Sequence, residues 1–149
     1  MNTIRVSLLP LMVAVAFSLA PNSASADTAA CVPQITDGWV RMPPMAMPML
    51  AGFGTIDNAC DAPSTVVSGS SPEFADVSIH ETRFEDGMAK MREVPKLVVP
   101  AGGSTTLKPG GLHMMLMQPH AAPAVGDVVR IDFQLEDGRT IQGDFEVRK

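Results

Sequence analysis

The sequence predicts an all-β fold, an antiparallel β-sandwich with Greek-key connections. Short apolar segments are separated at frequent intervals by turn residues, which is the pattern of a sandwich or a barrel. Residues 127–147 alternate apolar and polar side chains around the Asp137-Gly138 turn, as a half-buried hairpin requires. No segment carries apolar residues at a helical period over three turns, so we expect little helix.

The expected strands follow one another closely along the chain. They cover residues 38–42, 51–56, 65–67, 77–84, 88–94, 97–99, 105–107, 112–117, 127–135 and 139–147. Residues 42–49 contain three prolines and are expected to form a loop or an irregular edge, because proline cannot donate to a central ladder. Pro72, between Ser71 and Glu73, favours a single helical turn. Glu85-Asp86-Gly87 is a hairpin signal.

The N-terminal segment has the three parts of a secretory signal peptide. Arg5 supplies the positive charge, residues 6–20 the apolar region, and residues 24–26 (Ala-Ser-Ala) the cleavage site. The apolar region is short and interrupted by Pro10, so we expect no permanent membrane span. No cysteine directly follows the cleavage site, so a lipid anchor is not indicated. We therefore expect a signal peptide over residues 1–26, one periplasmic domain over residues 27–149, and no stable membrane insertion.

The composition excludes some classes of function and singles out methionine. The formal net charge of −5, without a basic patch, argues against nucleic-acid binding. Nine of the eleven methionines lie after the signal peptide, in three clusters. These are Met42, Met45, Met47 and Met49; Met88 and Met91; and Met114, Met115 and Met117. Methionine also serves as a flexible core filler, but that use does not require clusters next to histidine and proline.

The chain has two cysteines, Cys31 and Cys60. In an exported protein an even count predicts a disulfide. Closing a loop of this length would stabilise the fold by about 3–4 kcal/mol. The alternative is a pair of reduced, metal-binding thiols. Neither cysteine lies in a CxxC or Cys-x-His context, so the disulfide is the favoured interpretation.

Four residues form a candidate metal site: His80, Met91, His113 and Met115. Two imidazoles and two thioethers make a soft, neutral ligand set, which suits Cu(I) better than zinc, calcium or magnesium. Residues two apart on a strand share a face, so His113 and Met115 point the same way. His80 and Met91 flank the expected hairpin turn and are expected on adjacent strands, in a register that the sequence leaves open.

We expect the two pairs to meet at a loop end near Gly110-Gly111. Each of the four residues taken singly has an ordinary structural explanation, and the metal site is favoured only by their combination. His120, between Pro119 and Ala121, is interpreted as an ordinary loop histidine. Residues 42–49 leave two alternatives open. They are a hydrophobic lip packing on the sandwich or a partner, or they are a second thioether site that feeds Cu(I) to the His/Met site.

The spacing of the four candidate ligands resembles the signature of the PCu(A)C family of periplasmic copper chaperones. Ten residues separate His80 from Met91, twenty-one separate Met91 from His113, and one separates His113 from Met115. The flanking sequences are similar as well, at residues 86–88, 100–103, 107–111 and 115–117. The resemblance implies a cupredoxin-like sandwich with one Cu(I) in a shallow, exposed site formed by these four residues. It also implies delivery of copper to the dicopper centre of cytochrome c oxidase during oxidase assembly.

On this basis we expect a copper-binding and transfer protein, monomeric and not an enzyme, with a copper acceptor protein of oxidase assembly as its partner. Cu(II), if it binds, should depend on the two imidazoles. Copper tolerance or storage is an alternative role for the same site. A secreted β-sandwich that binds a partner without metal is an alternative of another class. An electron-transfer cupredoxin is disfavoured, because blue-copper sites need a Cys thiolate beside two His.

Overall fold

The computed structural model describes residues 31–149, which form ten strands and no helix. The strands are β1 (Gln34–Arg41), β2 (Met49–Asn58), β3 (Ser64–Ser70), β4 (Phe74–Glu85), β5 (Met88–Glu93), β6 (Leu97–Val99), β7 (Gly103–Leu107), β8 (Leu112–Pro119), β9 (Val128–Leu135) and β10 (Thr140–Arg148). The predicted signal peptide lies outside the described residues. Within residues 31–149 there is no helix long and apolar enough to cross a membrane.

Every strand expected from the sequence is present, most of them longer than expected. The hairpin between β4 and β5 turns at Asp86 and Gly87, whose φ angles of 53° and 76° are those of a tight two-residue turn. The single helical turn expected around Pro72 is wrong. Residues 72 and 73 form a turn without helix, because β4 begins at once at Phe74 and leaves no room for a helical repeat.

The strands form one sheet that curls back on itself. Its order is β5-β4-β8-β2-β1-β10-β9-β3-β6, and an additional pairing of β3 with β4 closes seven of the strands into a barrel. The barrel is closed by one residue pair, Gly69 of β3 with Val77 of β4. Strand β7 is not part of the strand order given above and pairs with β2. All pairings are antiparallel except β1 with β10, which run parallel. The predicted all-β, cupredoxin-like sandwich is thus confirmed, with one parallel pair.

The core fills the barrel with alternate residues of each strand. Strands β9 and β10 show the pattern most clearly, since Ile131, Phe133, Ile141 and Phe145 point inward and the residues between them are polar. On the other side of the barrel, Met114 and Leu116 of β8 are fully buried. The outward side chains of β8 are therefore those of His113, Met115 and Met117, as the period of two requires.

A disulfide and a buried amide fasten the chain after β2. Cys31 is bonded to Cys60, with the two Cα atoms 5.7 Å apart, so the predicted disulfide is present. The side-chain amide of Asn58, which is 1% exposed, donates to the carbonyl oxygens of Ala62, Val99 and Pro100. These contacts tie the end of β2 to the turn between β6 and β7. The thiols are consumed by the disulfide and are not free as metal ligands in this form.

Candidate metal centre

The register of the β4–β5 hairpin places Met91 beside His80. Met91 pairs with Thr82, and Thr82 lies two residues from His80 on the same strand, so all three side chains share one face. His80 itself pairs with Glu93. The prediction that His80 and Met91 lie on adjacent antiparallel strands is therefore confirmed, in a diagonal arrangement that long side chains can span.

Direct pairing of β4 with β8 brings the two histidines together. His80 is the cross-strand partner of His113, and their ring centroids are 6.2 Å apart. Met115 pairs with Ser78 on the same ladder, two residues further along. The β4–β8 ladder therefore brings His80 and Met91 together with His113 and Met115. We expected this contact at the loop end near Gly110-Gly111 instead.

The four candidate ligands consequently share the outer face of three adjacent strands. Met91 comes from β5, His80 from β4, and His113 and Met115 from β8. The opposite face of β8 and of the first half of β4 belongs to the core, with Ile79 and Met114 paired across it. A one-residue slip of the β4–β8 ladder would send His113 and Met115 into the core, and a slip of the β4–β5 ladder would move Met91 to the opposite face of the hairpin.

His113 is held in one tautomer by the backbone. Its Nδ1 lies 2.9 Å from the carbonyl oxygen of Gly111, which can only accept, so Nδ1 carries the proton. In the neutral ring Nε2 then keeps its lone pair for a metal ion. The same carbonyl also accepts a hydrogen bond from the backbone N–H of Thr82, 3.1 Å away, which ties the turn before β8 to β4. A backbone partner on the second ring nitrogen is a common way to orient a metal-binding histidine.

His80 has a side-chain partner instead. Its Nε2 lies 3.1 Å from the hydroxyl oxygen of Ser78, which is able both to donate and to accept. When Nε2–H donates to Ser78, Nδ1 of His80 carries the lone pair. His80 is therefore held less rigidly than His113, because the Ser78 hydroxyl can rotate and the Gly111 carbonyl cannot.

Exposure differs strongly among the four side chains. His113 is only 5% exposed, although it points outward, whereas Met91 is 53% exposed. His80 and Met115 are intermediate. The site thus has one firmly held, buried nitrogen and one sulfur open to solvent.

Most charged side chains of the hairpin lie on the face away from these ligands. Glu81 and Glu85 of β4 alternate with His80 and face the other way, and they pair with Arg83, Lys90 and Arg92 at 2.6 to 3.4 Å. The ligand face of this hairpin carries the acidic residues Glu93, opposite His80, and Asp76, opposite Met117, and neither strand places a basic side chain there. A cation bound by these ligands therefore meets no repulsive positive charge from the hairpin.

The chemistry of the donor set agrees with a thioether-dependent site. Within residues 31–149 no group of three or more His, Cys, Asp and Glu side chains is placed to hold a metal ion. The side chains that the strand register places on the same face as the two imidazoles include the thioethers of Met91 and Met115. Sulfur donors select Cu(I) over zinc and the alkaline-earth ions.

Two residues of this centre were missed by sequence reasoning. Gly111 was named as part of the loop end where the two ligand pairs would meet and not for its carbonyl, and Ser78 was not singled out at all. The position of Ser78 two residues before His80 is a usable signal, because the two side chains share a face of the strand. The role of the Gly111 carbonyl has no sequence signal, since any residue has a carbonyl.

The methionine-rich segment, residues 42–48, lies at the same side of the barrel. It connects β1 to β2, and Met49 begins β2 as the cross-strand partner of Met117. Met45 and Met47 are 75% and 46% exposed. His120 follows the last residue of β8, seven residues from His113 and so at most about 23 Å away at 3.3 Å per residue, and is exposed.

Comparisons with known proteins identify relatives over most of the described residues. The profile of the family described as putative lipoprotein LpqE-like matches residues 34–147. A putative lipoprotein of Leifsonia xyli subsp. xyli is 31% identical over 108 residues. The match covers 72% of this chain and 64% of the relative, so the chain spans less than two thirds of that relative's length.

Solved structures with the same barrel include copper-bound forms. The solution structure of the Cu(I) form of DR1885 from Deinococcus radiodurans is 32% identical, with 85% of each chain covered and a TM-score of 0.63. The copper-bound PCuAC domain from PmoF2 has a TM-score of 0.63 over 76% of this chain and 90% of that domain. At 20% identity, the second likeness shows the fold alone. The chain therefore belongs to the LpqE-like family, which is described as a family of putative lipoproteins.

Proposed function

We propose that this protein is an exported copper chaperone, not an enzyme, that binds Cu(I) through His80, Met91, His113 and Met115. The observation that carries the proposal is the strand register. Two ladders, β4 with β5 and β4 with β8, put these four side chains on one outer face. The ligand spacing that the sequence shares with PCu(A)C proteins supports the same set.

The oxidation state follows from the ligands. Two thioethers and two neutral imidazoles add no negative charge, which favours the monovalent ion, and sulfur favours the soft one. The printed description of the DR1885 structure as a Cu(I) form supports this choice for a relative of 32% identity. Cu(II) would depend on His80 and His113 and make little use of the two sulfur atoms.

The exposure of the ligands supports capture and release. Met91 is open to solvent, so an acceptor's ligand can replace its sulfur without moving the barrel. His113 is buried and is held by a hydrogen bond to the Gly111 carbonyl, so we expect its bond to copper to break last during transfer. Thioethers bind Cu(I) more weakly than thiolates, and transfer to a cysteine-containing acceptor is therefore downhill.

We propose export to the periplasm and delivery to the dicopper centre of cytochrome c oxidase during its assembly. The matched family and the Leifsonia relative are both described as putative lipoproteins, a class of exported proteins, and this supports the location. The disulfide between Cys31 and Cys60 is also typical of an oxidising compartment. The destination rests on the resemblance to PCu(A)C proteins and on the thiolate ligands of such a centre.

An anaerobic Cu(I) titration against a chromophoric chelator tests the site. We expect tight binding of one equivalent by residues 27–149, and its loss in the His113→Ala/Met115→Leu variant. The matched control is His120→Ala/Met88→Leu, which removes the same two residue types from the loop after β8 and from the far face of the hairpin. Equal loss in both double variants, or binding that survives in the first, would reject the assignment.

A single substitution separates the two oxidation states. Met91→Leu keeps the size and apolar character of the side chain but removes the sulfur. We expect it to weaken Cu(I) binding more than Cu(II) binding. Equal weakening of both would show that Met91 is not a thioether ligand.

Transfer distinguishes a chaperone from a storage protein. The copper-loaded protein is mixed without oxygen with the reduced, metal-free soluble dicopper domain, and the two are separated by gel filtration before the copper of each is measured. We expect the copper to move to the acceptor domain. Copper that stays with this protein, or binding of several equivalents, would favour storage or tolerance.

A further inference from the structure

We propose that a second thioether position for Cu(I), formed by Met47, Met49 and Met115, receives the ion and passes it to the His/Met site. This inference rests on the proposed function, because Met115 belongs to both positions. The transfer is a ligand exchange in which copper–sulfur bonds on one side break as copper–nitrogen bonds on the other side form. Copper stays Cu(I) and no electron moves.

The three sulfur-bearing side chains line one open cleft. Its volume is about 240 Å³, and its walls are completed by Arg41, Pro43, Pro44, Leu50 and Ala51. Ala51 is the third residue of β2, with Met115 as its partner on one side and Arg41 as its partner on the other. The small side chain of Ala51 leaves the space between these two long neighbours open.

The loop that supplies Met47 is held at both ends. The backbone N–H of Met42 donates to the carbonyl of Arg148 at 2.6 Å, and that of Gln118 donates to the carbonyl of Pro48 at 2.6 Å. Between these anchors the prolines restrict the backbone, and no helix or strand forms. Met42 packs against the core, whereas Met45 and Met47 are exposed and are presented at a defined place beside β2 and β8.

The cleft suits Cu(I) and few other ligands. Apart from the guanidinium of Arg41, its lining side chains carry no charge, imidazole or carboxylate, so divalent ions that need oxygen or nitrogen donors find none there. Three thioethers offer neutral sulfur to a soft monovalent ion. The side chains of proline, leucine and alanine in its walls offer no oxygen or nitrogen donor that would compete for it.

Arg41 explains why this position should hold copper less firmly than the His/Met site. Its guanidinium carbon lies 5.5 Å from the centre of the Trp39 ring and 5.1 Å from that of Phe53, and it lines the cleft from that side. A fixed positive charge beside the cleft opposes a bound cation. Copper is therefore driven from the cleft toward His113, which shares a face of β8 with Met115 and offers a nitrogen ligand.

The first experiment isolates the cleft. In a His80→Ala/His113→Ala variant, which lacks both imidazoles, we expect weak binding of one equivalent of Cu(I) without oxygen. Adding Met47→Leu/Met49→Leu should weaken this residual binding by about tenfold or more, equivalent to 1.4 kcal/mol. The control adds Met45→Leu, in the same loop but outside the lining of the cleft, and should leave the binding unchanged. Leucine preserves the apolar volume, so the fold is kept.

The second experiment tests the relay in the otherwise intact protein. Because Met115 is shared, the two positions exclude each other, and Met47→Leu/Met49→Leu should leave the affinity for one equivalent unchanged. We expect it to slow the uptake of Cu(I) from a chelate several-fold, whereas Met45→Leu does not.

The outcomes separate the two proposals. Suppose that the intact protein binds Cu(I) at His113 and Met115. If the His80→Ala/His113→Ala variant then binds no Cu(I), and Met47→Leu/Met49→Leu does not slow uptake by the intact protein, the relay is wrong and the chaperone proposal stands. If the intact protein binds no Cu(I), both are wrong. If Met45→Leu acts as strongly as Met47→Leu/Met49→Leu, the loop binds copper without the cleft and the relay is also wrong.

Discussion

Met114 and Met115 are neighbours in the chain and lie on opposite faces of the same strand. Met114 is fully buried in the core, where it packs over Gly52. Met115 lies on the outer face, beside His113 and at the edge of the cleft. The residue type is the same, so composition does not separate structural from functional methionines. The face on which each side chain lies separates them, and the ladder register sets that face.

The two faces of β8 should therefore respond differently to substitution. Changes on the inner face remove packing that the barrel needs, and they lower the free energy of unfolding. A change at Met115 on the outer face removes a copper ligand from a position that is already partly solvated, and it leaves the barrel stable. The following predictions run from the largest expected change in unfolding free energy to the smallest.

Met114→Ala should lower the free energy of unfolding by about 2–5 kcal/mol, because it leaves a cavity at a fully buried position. Met115→Ala is the matched substitution on the outer face and should cost about 1 kcal/mol or less, while abolishing tight Cu(I) binding. Denaturant unfolding of the metal-free proteins measures both. Equal losses of stability would break the distinction between the faces.

The Cys31→Ser/Cys60→Ser variant should lose about 3–4 kcal/mol, because the disulfide closes a loop with a sequence separation of 29. Its Cu(I) affinity should be unchanged, since the disulfide fastens the chain next to the end of β2 and not on the ligand face. Reduction of the native protein gives an independent measure of the same loss. A fall in copper affinity at temperatures where the variant stays folded would contradict this separation.

Gly52→Ala should cost about 1–3 kcal/mol by overpacking. A Cβ atom at Gly52 would lie 2.7 Å from Cε of Met114 and only 3.4 Å from its Cβ. In a Met114→Ala background the Cε atom is gone, so the same glycine substitution should cost clearly less. Additive losses in this double-mutant cycle would show that Met114 is not what requires glycine here.

Arg139→Gln should change the free energy of unfolding least. It should affect neither the core face nor the ligand face of β8. The hydrogen bond from the Arg139 side chain holds the pKa of Asp137 below its ordinary value, at the exposed turn between β9 and β10. The interaction of Asp137 with Arg139 therefore adds to the free energy of unfolding at pH values above the ordinary pKa of Asp137. This stabilisation is lost as the pH falls through the lowered pKa of the folded state. In the variant the pKa of Asp137 should rise toward normal, as an NMR titration would measure. An unchanged pKa would show that the hydrogen bond to Arg139 is not its cause.

Local sequence was sufficient for the parts of the fold that depend on near neighbours. The Asp86-Gly87 turn follows from two residues that tolerate positive φ, and the hairpin of β4 and β5 follows from that turn. The prediction of a single helical turn at Pro72 was wrong. The local preference of proline for the first turn of a helix was overridden by the start of β4 at Phe74. The ligand spacing indicated which residues to examine, but not that His80 and His113 would be direct partners.

By itself, the sequence determined which side chains alternate on each strand, where the hairpins turn, that the two cysteines pair, and which donor atoms are available to a metal. Each of these depends on residues close in the chain or on chemical type alone. Only the tertiary structure decided that β4 lies between β5 and β8, that His80 and His113 are direct cross-strand partners, and that residues 42–48 lie against Met115. Pairing between strands far apart in the chain depends on how the whole core packs, and a local pattern does not contain that information.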